Sequence, residues 1–121
     1  ENMKTISINR FIELHNPRCS KSRKALETLS EHQVVPEIIE YLKEPLSKSF
    51  LLEVFSALGK KPCEVLRLNE DDFKSLSLDL NDDEAVIDAI IKFPKILERP
   101  IIIKDNKAVI GRPVESINEL L

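Results

Sequence analysis

The turn from the first predicted strand into the first predicted helix is encoded by nine residues, His15-Asn16-Pro17-Arg18-Cys19-Ser20-Lys21-Ser22-Arg23. An apolar stretch precedes them and an amphipathic helical pattern follows, so Cys19 is expected at a helix N-terminus. Free N–H groups and the positive dipole end of a helix lower a cysteine pKa from its ordinary value of about 8.5. Arg18, Lys21 and Arg23 add positive charge, and the Ser22 hydroxyl, one turn on, is placed to hydrogen-bond the sulfur. We therefore predict that Cys19 is a nucleophile.

Other roles for this cysteine fit the sequence less well. A free cysteine is more often a small buried hydrophobe, but the neighbours of Cys19 are polar or charged. A phosphatase-type loop needs an arginine six positions after the cysteine, where this chain has Ala25. A zinc site would have to combine His15, Cys19, His32 and Cys63, whose spacing matches no structural zinc pattern. No metal site is predicted, and with only two glycines a glycine-rich phosphate loop is absent.

The composition suits one globular domain: of 121 residues, 42% are hydrophobic and 32% are charged. A net charge of -3 without a basic stripe disfavours nucleic acid as a partner. No apolar run has the length of a membrane span and no signal peptide is visible, so a cytoplasmic protein with reduced thiols is expected. We assign the domain to residues 10–121 and treat residues 1–9 as an N-terminal extension, part of it added ahead of a native Met3.

The first half of the chain predicts a β-α-β unit. A strand is predicted over residues 10–15 and is ended by the Asn16-Pro17 turn. A helix is predicted over residues 20–30, because its apolar positions share one face. Residues 34–42 are rich in β-formers and predict a second strand that begins near Pro36. A helical crossover joins parallel strands, so these two strands are expected to run parallel.

The rest of the chain predicts helices followed by a β-β-α unit. Helical spacing and capping residues indicate helices over residues 47–59, from 62, within 71–80, and over 82–94. A hairpin is predicted over 101–104 and 107–110, and a last helix with Pro113 in its first turn. The predicted fold class is α/β: a thioredoxin-like, four-stranded mixed β-sheet flanked by helices, with a helical insertion between the two halves.

Three arginines stand at predicted element ends that meet at one edge of the sheet: Arg67, Arg99 and Arg112. The planar guanidinium fork binds tetrahedral oxyanions bidentately, which lysine cannot do. Three such groups around a thiolate would hold an anionic substrate and stabilise charge on its oxygens. For any single arginine, a solvated surface position is the commoner case.

The stretch 15–23 resembles the active-site signature of the glutaredoxin-coupled arsenate reductase family, the ArsC family. The second signature of this family is similar to Glu98-Arg99-Pro100-Ile101-Ile102 taken together with Ile110-Gly111-Arg112-Pro113. Weaker family positions between the two signatures match Tyr41-Leu42, Pro45 and Leu66-Arg67. The resemblance extends from about residue 10 to the end of the chain. It implies a thioredoxin-like fold, a cis bond before Pro100, oxyanion binding by Arg67, Arg99 and Arg112, and supporting positions for His15, Ser22 and Arg23. Ser20-Lys21 stands where the best-known arsenate reductases have Gly-Thr, so the chain resembles a less characterised branch.

The function implied by this resemblance is reduction of arsenate to arsenite through a covalent cysteine–arsenate adduct at Cys19. Ser22 occupies the position of a second CxxC cysteine, and Cys63 is expected to be structural. External thiols would therefore resolve the adduct, with glutathione as co-substrate, glutaredoxin as partner and no bound cofactor. Two alternatives remain: a general glutathione-dependent thiol oxidoreductase, and a non-enzymatic regulator like the Spx transcription factors, although that branch usually carries a CxxC switch.

Overall fold

A four-stranded mixed sheet forms the centre of the molecule. The structure, a computed structural model, describes residues 10–121; the predicted extension at 1–9 lies outside the described residues. The strands are β1 (Phe11–Leu14), β2 (Glu37–Ile39), β3 (Ile101–Lys104) and β4 (Lys107–Ile110). Their order is β2-β1-β3-β4; β1 and β2 are parallel, and the other two pairs are antiparallel. This confirms the predicted thioredoxin-like α/β arrangement.

The first helix, α1 (Ser20–Glu31), starts directly after Cys19, as predicted. The second strand is shorter than predicted: the sequence pattern indicated residues 34–42, whereas β2 covers only Glu37–Ile39. Beyond β2 the chain turns, and the N–H groups of Lys43 and Glu44 both donate to the Glu40 carbonyl. The β-forming residues after β2 therefore form a turn in which Tyr41 is buried, and they do not extend the strand.

The insertion between the halves contains three α-helices, α2 (Lys48–Leu58), α3 (Asp71–Lys74) and α4 (Asp83–Lys92), and two 3-10 helices, Pro62–Val65 and Pro94–Ile96. Ser47 and Asp82 cap α2 and α4, where each side chain accepts a backbone N–H. Gly59 ends α2 with a positive φ of 67°. Leu66 pairs with Leu97, and the Arg67 N–H donates to the Ile96 carbonyl at 2.7 Å. These contacts hold Arg67 beside the segment that leads to Arg99.

The β3–β4 hairpin is followed by a break at Gly111 and by a last helix. The Gly111 N–H donates to the Pro100 carbonyl at 2.8 Å, and a Cβ on Gly111 would lie 3.0 Å from both Pro100 Cγ and Ile102 Cδ1. Glycine therefore permits this close approach. The last helix is a 3-10 helix over Val114–Leu120, and Pro113 precedes it as its N-cap instead of lying in its first turn.

The apolar core lies on both faces of the sheet. One cluster includes Leu14 of β1 with residues of α2 and α4, and the other includes Phe11 of β1 with residues of α1 and the last helix. Successive residues of β1 thus point to opposite faces, as strand geometry requires. Among residues 10–121, no helix combines the length and the apolar character needed to cross a bilayer.

Candidate active site

Cys19 occupies the N-cap position of α1, with extended backbone angles and 8% of its surface exposed. Burial would raise the pKa of this thiol, but the backbone N–H groups of Ser22 and Lys21 favour the thiolate. The guanidinium of Arg99 acts in the same direction, as a hydrogen-bond donor and as a charge, and the pKa falls to about 7. A large fraction of Cys19 is therefore thiolate at neutral pH, which is the nucleophilic form.

The loop that presents the cysteine is fixed by its own hydrogen bonds. The Cys19 N–H donates to the Asn16 carbonyl at 2.9 Å, and the Arg18 N–H donates to the Asn16 side chain at 3.0 Å. The Ser22 hydroxyl is fully buried and accepts the Asn16 N–H at 3.3 Å. The expected hydrogen bond from this hydroxyl to the sulfur is not formed; the hydroxyl instead ties the start of the loop to α1, and the backbone N–H of Ser22 favours the thiolate.

Arg23 and Pro100, two of the predicted supporting residues, have different surroundings. The exposed Arg23 side chain donates through Nη1 to the Pro17 carbonyl at 2.9 Å, so it braces the turn before the cysteine. The peptide bond between Arg99 and Pro100 is cis, as the family resemblance implies, and the bond between Arg112 and Pro113 is also cis. Pro100 itself is buried and directly precedes β3.

A polar cavity of about 280 Å³ lies beside this loop. It is lined by Asn16, Arg18, Tyr41, Leu42, Arg67, Glu70, Lys95 and Arg99. Within the described part of the chain, Arg99 Nε and the Tyr41 hydroxyl are buried without a hydrogen-bond partner. Buried donors without partners are costly and are therefore uncommon away from functional sites. An oxyanion in the cavity would satisfy both donors.

Tyr41 and Arg67 complete the wall of this cavity. Burial raises the pKa of Tyr41 to about 12, against the opposing charges of Arg99 and Arg67, so its hydroxyl stays a hydrogen-bond donor at neutral pH. Arg67 Nη1 donates to Glu70 Oε2 at 2.8 Å and to the Lys95 carbonyl at 3.3 Å. The Arg67 guanidinium is therefore held in place at the cavity by a partly buried ion pair.

Arg112, the third predicted arginine, does not line this cavity. Its Nη1 lies 3.8 Å from Glu98 Oε1, and its side chain lines a second cavity of about 470 Å³ together with Glu98 and Lys60. The structure thus brings Arg67 and Arg99 to one cavity beside Cys19 and turns Arg112 towards a carboxylate. A sequence pattern can predict that an arginine lies at the end of an element, but it does not predict the rotamer and hence the direction of the side chain.

His15 is buried at the start of the loop, where its ring nitrogen Nδ1 lies 2.7 Å from Glu13 Oε2. Glu13, for which the sequence patterns predicted no role, is fully buried in β1. The sequence does mark this residue, since a lone acid interrupts an apolar strand. Because side chains alternate along a strand, Glu13 lies on the same face as Phe11 and His15. Among the described residues, no group of three His, Cys, Asp or Glu side chains is arranged to hold a metal ion.

The Arg99→Gln variant is expected to raise the pKa of Cys19 from about 7 by about one unit or more. The variant removes both a donor and a positive charge, whereas Arg99→Lys keeps a charge and should raise the pKa less. The rate of iodoacetamide alkylation, followed against pH, measures the thiolate. Arg10→Gln, which alters an exposed arginine paired with Glu37, serves as a control. An Arg99→Gln profile that superimposes on that of the wild type would contradict this role.

Known proteins match nearly the whole chain. The model of the ArsC family matches residues 14–120. An arsenate reductase from Neisseria meningitidis serogroup B is 42% identical over 110 residues, which are 88% of this chain and 94% of that protein. The uncharacterised protein YfgD from Escherichia coli K12 is also 42% identical over 110 residues, covering 88% of this chain and 92% of that protein.

Solved structures match the fold equally well. An arsenate reductase from Vibrio cholerae superimposes with a TM-score of 0.84 at 32% identity, covering 93% of this chain and 98% of that one. An ArsC-related protein from Bacteroides fragilis has a TM-score of 0.78 at 18% identity over 93% of this chain and 99% of that one, a likeness of fold alone. By its sequence and by its thioredoxin-like architecture, the chain belongs to the ArsC family.

Proposed function

We propose that this protein reduces arsenate to arsenite with Cys19 as the nucleophile. The observation that carries the proposal is a low-pKa thiol in a loop that borders a cavity in which two buried donors, Arg99 Nε and the Tyr41 hydroxyl, have no partner among the described residues. A tetrahedral oxyanion satisfies these donors, and its charge matches Arg67 and Arg99. The arsenate reductases among the relatives support arsenate as that oxyanion.

In the proposed first step, the Cys19 thiolate attacks the arsenic of dihydrogen arsenate. A sulfur–arsenic bond forms, one arsenic–oxygen bond breaks, and the departing oxygen takes up a proton and leaves as water. Arsenic stays pentavalent in this step, and the adduct keeps one negative charge. Arg67 and Arg99 stabilise the charge on the oxygens.

The adduct is then proposed to be reduced by external thiols. Ser22 stands three positions after Cys19, so no neighbouring cysteine in α1 can attack the sulfur. Overall, dihydrogen arsenate, two glutathione thiols and one proton give arsenous acid, glutathione disulfide and water, so arsenic gains two electrons. We propose glutathione as co-substrate, glutaredoxin as partner, no bound cofactor, and the cytoplasm, where these thiols are kept reduced, as the location.

Arsenate-dependent oxidation of NADPH, coupled through glutathione reductase, glutathione and glutaredoxin, tests the proposal. We expect turnover that requires arsenate, is strongly stimulated by glutaredoxin, and is not supported equally by thioredoxin and thioredoxin reductase. Arg99→Gln should raise KM for arsenate by about 10-fold to 100-fold, the worth of a charged hydrogen bond. Arg112→Gln should have a smaller effect, because this side chain faces Glu98.

The alternatives give different results in the same preparation. A general thiol oxidoreductase would reduce a mixed disulfide of glutathione and would show no arsenate-dependent turnover. A regulator like the Spx factors would bind RNA polymerase in a pull-down and show neither activity. Either result would overturn the proposed function.

A further inference from the structure

A fully buried glutamate lies in the centre of the sheet, outside the chemistry described above. Glu13 belongs to β1, which is flanked by β2 and β3, and none of its surface is exposed. Its partners across the two ladders are apolar, Ile38 on β2 and Ile102 on β3. Isolated buried carboxylates are costly, and acidic residues are almost never fully buried unless they are paired.

The carboxyl group of Glu13 has one partner within the described residues. Its Oε2 lies 2.7 Å from Nδ1 of His15, and its Oε1 is buried with no hydrogen-bond partner there. An ionised carboxylate would leave negative charge on that second oxygen without compensation. A protonated carboxyl avoids this cost and donates its O–H to an unprotonated Nδ1. The geometry therefore favours a neutral pair with the proton on the glutamate side.

We propose that Glu13 is a positioning residue for the Cys19 site: its protonated carboxyl donates a hydrogen bond to His15 Nδ1 and fixes that ring as the Nε2–H tautomer at the base of the loop. The backbone N–H of His15 donates to the Ile39 carbonyl at 2.9 Å, so both the backbone and the ring of this residue are held in place. The proposal adds to the proposed function, and its test uses no arsenate. Failure of one can therefore be distinguished from failure of the other.

The charges around the pair agree with this protonation state. Burial and the charge of the nearby Cys19 thiolate raise the pKa of Glu13 to about 8. Burial lowers the pKa of His15, while Glu40 after β2 opposes that shift and Arg23 of α1 reinforces it. The charged groups that act on the pair are thus Cys19, Arg23 and Glu40. At neutral pH the pair is uncharged while the thiolate is present.

In alkaline solution Glu13 ionises, and a second negative charge then appears near the sulfur. The coupling between Glu13 and Cys19 is reciprocal, so each negative charge raises the pKa of the other group. The thiolate then becomes more basic and more nucleophilic. The reactivity of Cys19 should therefore follow the ionisation of both groups, and its pH profile should be broader than the titration of a single thiol.

Two measurements test the proposal, both on the full chain carrying Cys63→Ala so that Cys19 is the single thiol. The first is a long-range proton–nitrogen NMR spectrum of the histidine rings near pH 7, assigned with His32→Gln. We expect His15 Nδ1 to be unprotonated and Nε2 to carry the proton. A proton on Nδ1, or an imidazolium ring, overturns the proposal without any change to Glu13.

The second measurement is the rate of Cys19 alkylation by iodoacetamide between about pH 5 and about pH 10. Glu13→Gln keeps a donor for Nδ1 but does not titrate, so we expect its pH profile to narrow to that of a single thiol. Its rate at pH 7 should stay within about threefold of the wild-type rate, less than the worth of one hydrogen bond. Glu13→Ile releases the ring and should change that rate by about fivefold or more.

The control is Glu37→Gln, which removes an exposed carboxylate from the neighbouring strand β2 and should leave the broad profile of Cys19 unchanged. The proposal is overturned if the profile of Glu13→Gln stays as broad as that of the wild type. It is equally overturned if the glutamine and isoleucine variants behave alike, since a purely structural role would not distinguish a donor from an alkyl group.

Discussion

Replacing Cys19 with serine is expected to abolish arsenate reduction, with a loss of about a thousandfold or more in kcat/KM. The thiolate is the group that the first turn of α1 and Arg99 stabilise, and a serine hydroxyl does not ionise near neutral pH. The variant keeps Arg67, Arg99 and Tyr41 at the cavity, so its affinity for arsenate should change far less than its turnover. The NADPH-coupled assay measures turnover, and isothermal titration with arsenate measures binding.

Cys63 provides the matched control for this variant. It lies in the 3-10 helix Pro62–Val65, is partly buried and packs against the larger apolar cluster. Cys63→Ala should therefore retain turnover with glutathione and glutaredoxin. Substantial turnover by Cys19→Ser would remove Cys19 from the mechanism. An equal loss in both variants would instead indicate that Cys63 resolves the adduct, and external thiols would no longer be the first resolving agent.

The sequence predicted those parts of the site that depend on local chemistry. The apolar strand, the Asn16-Pro17 turn and the helix that starts at Ser20 together place Cys19 at a helix N-terminus, and the structure has the same arrangement. The spacing of the hydrophobic residues likewise predicted the positions of the hairpin and of the capped helices of the insertion. Each of these features depends on residues within one or two turns of chain, so the pattern carries the information.

The features that the sequence did not predict depend on contacts between distant segments. The predicted length of β2 was wrong because β-propensity does not distinguish a residue that pairs with a neighbouring strand from a buried turn residue such as Tyr41. The side chain of Arg112 faces Glu98, and this choice depends on a neighbour in a different loop. The lone acid at Glu13 is visible in the sequence, but its complete burial depends on the flanking strands β2 and β3, which are distant from it along the chain.

The same glutamate leads to the second prediction: the stability gained by Glu13→Gln over the wild type should grow as pH rises. Folding raises the pKa of Glu13 from 4.5 to about 8, so the folded state holds this proton over a pH range in which the unfolded state has lost it. The contribution of Glu13 is therefore fully present below about pH 4.5 and is lost as pH rises to about 8. Glutamine does not titrate and carries no such dependence.

Denaturant titrations at a series of pH values measure this difference. We expect the free energy of unfolding of Glu13→Gln to rise relative to that of the wild type by about 1.4 kcal/mol per pH unit above about pH 4.5, and by about 5 kcal/mol in all, before the difference levels off near pH 8. His15 and Cys19 also titrate, but they are present in both proteins, so their contributions largely cancel in the difference. The exposed Glu37→Gln variant should show a flat difference. A flat difference for Glu13→Gln would mean that Glu13 is already ionised in the folded protein at pH 5, and the neutral pair with His15 would be excluded.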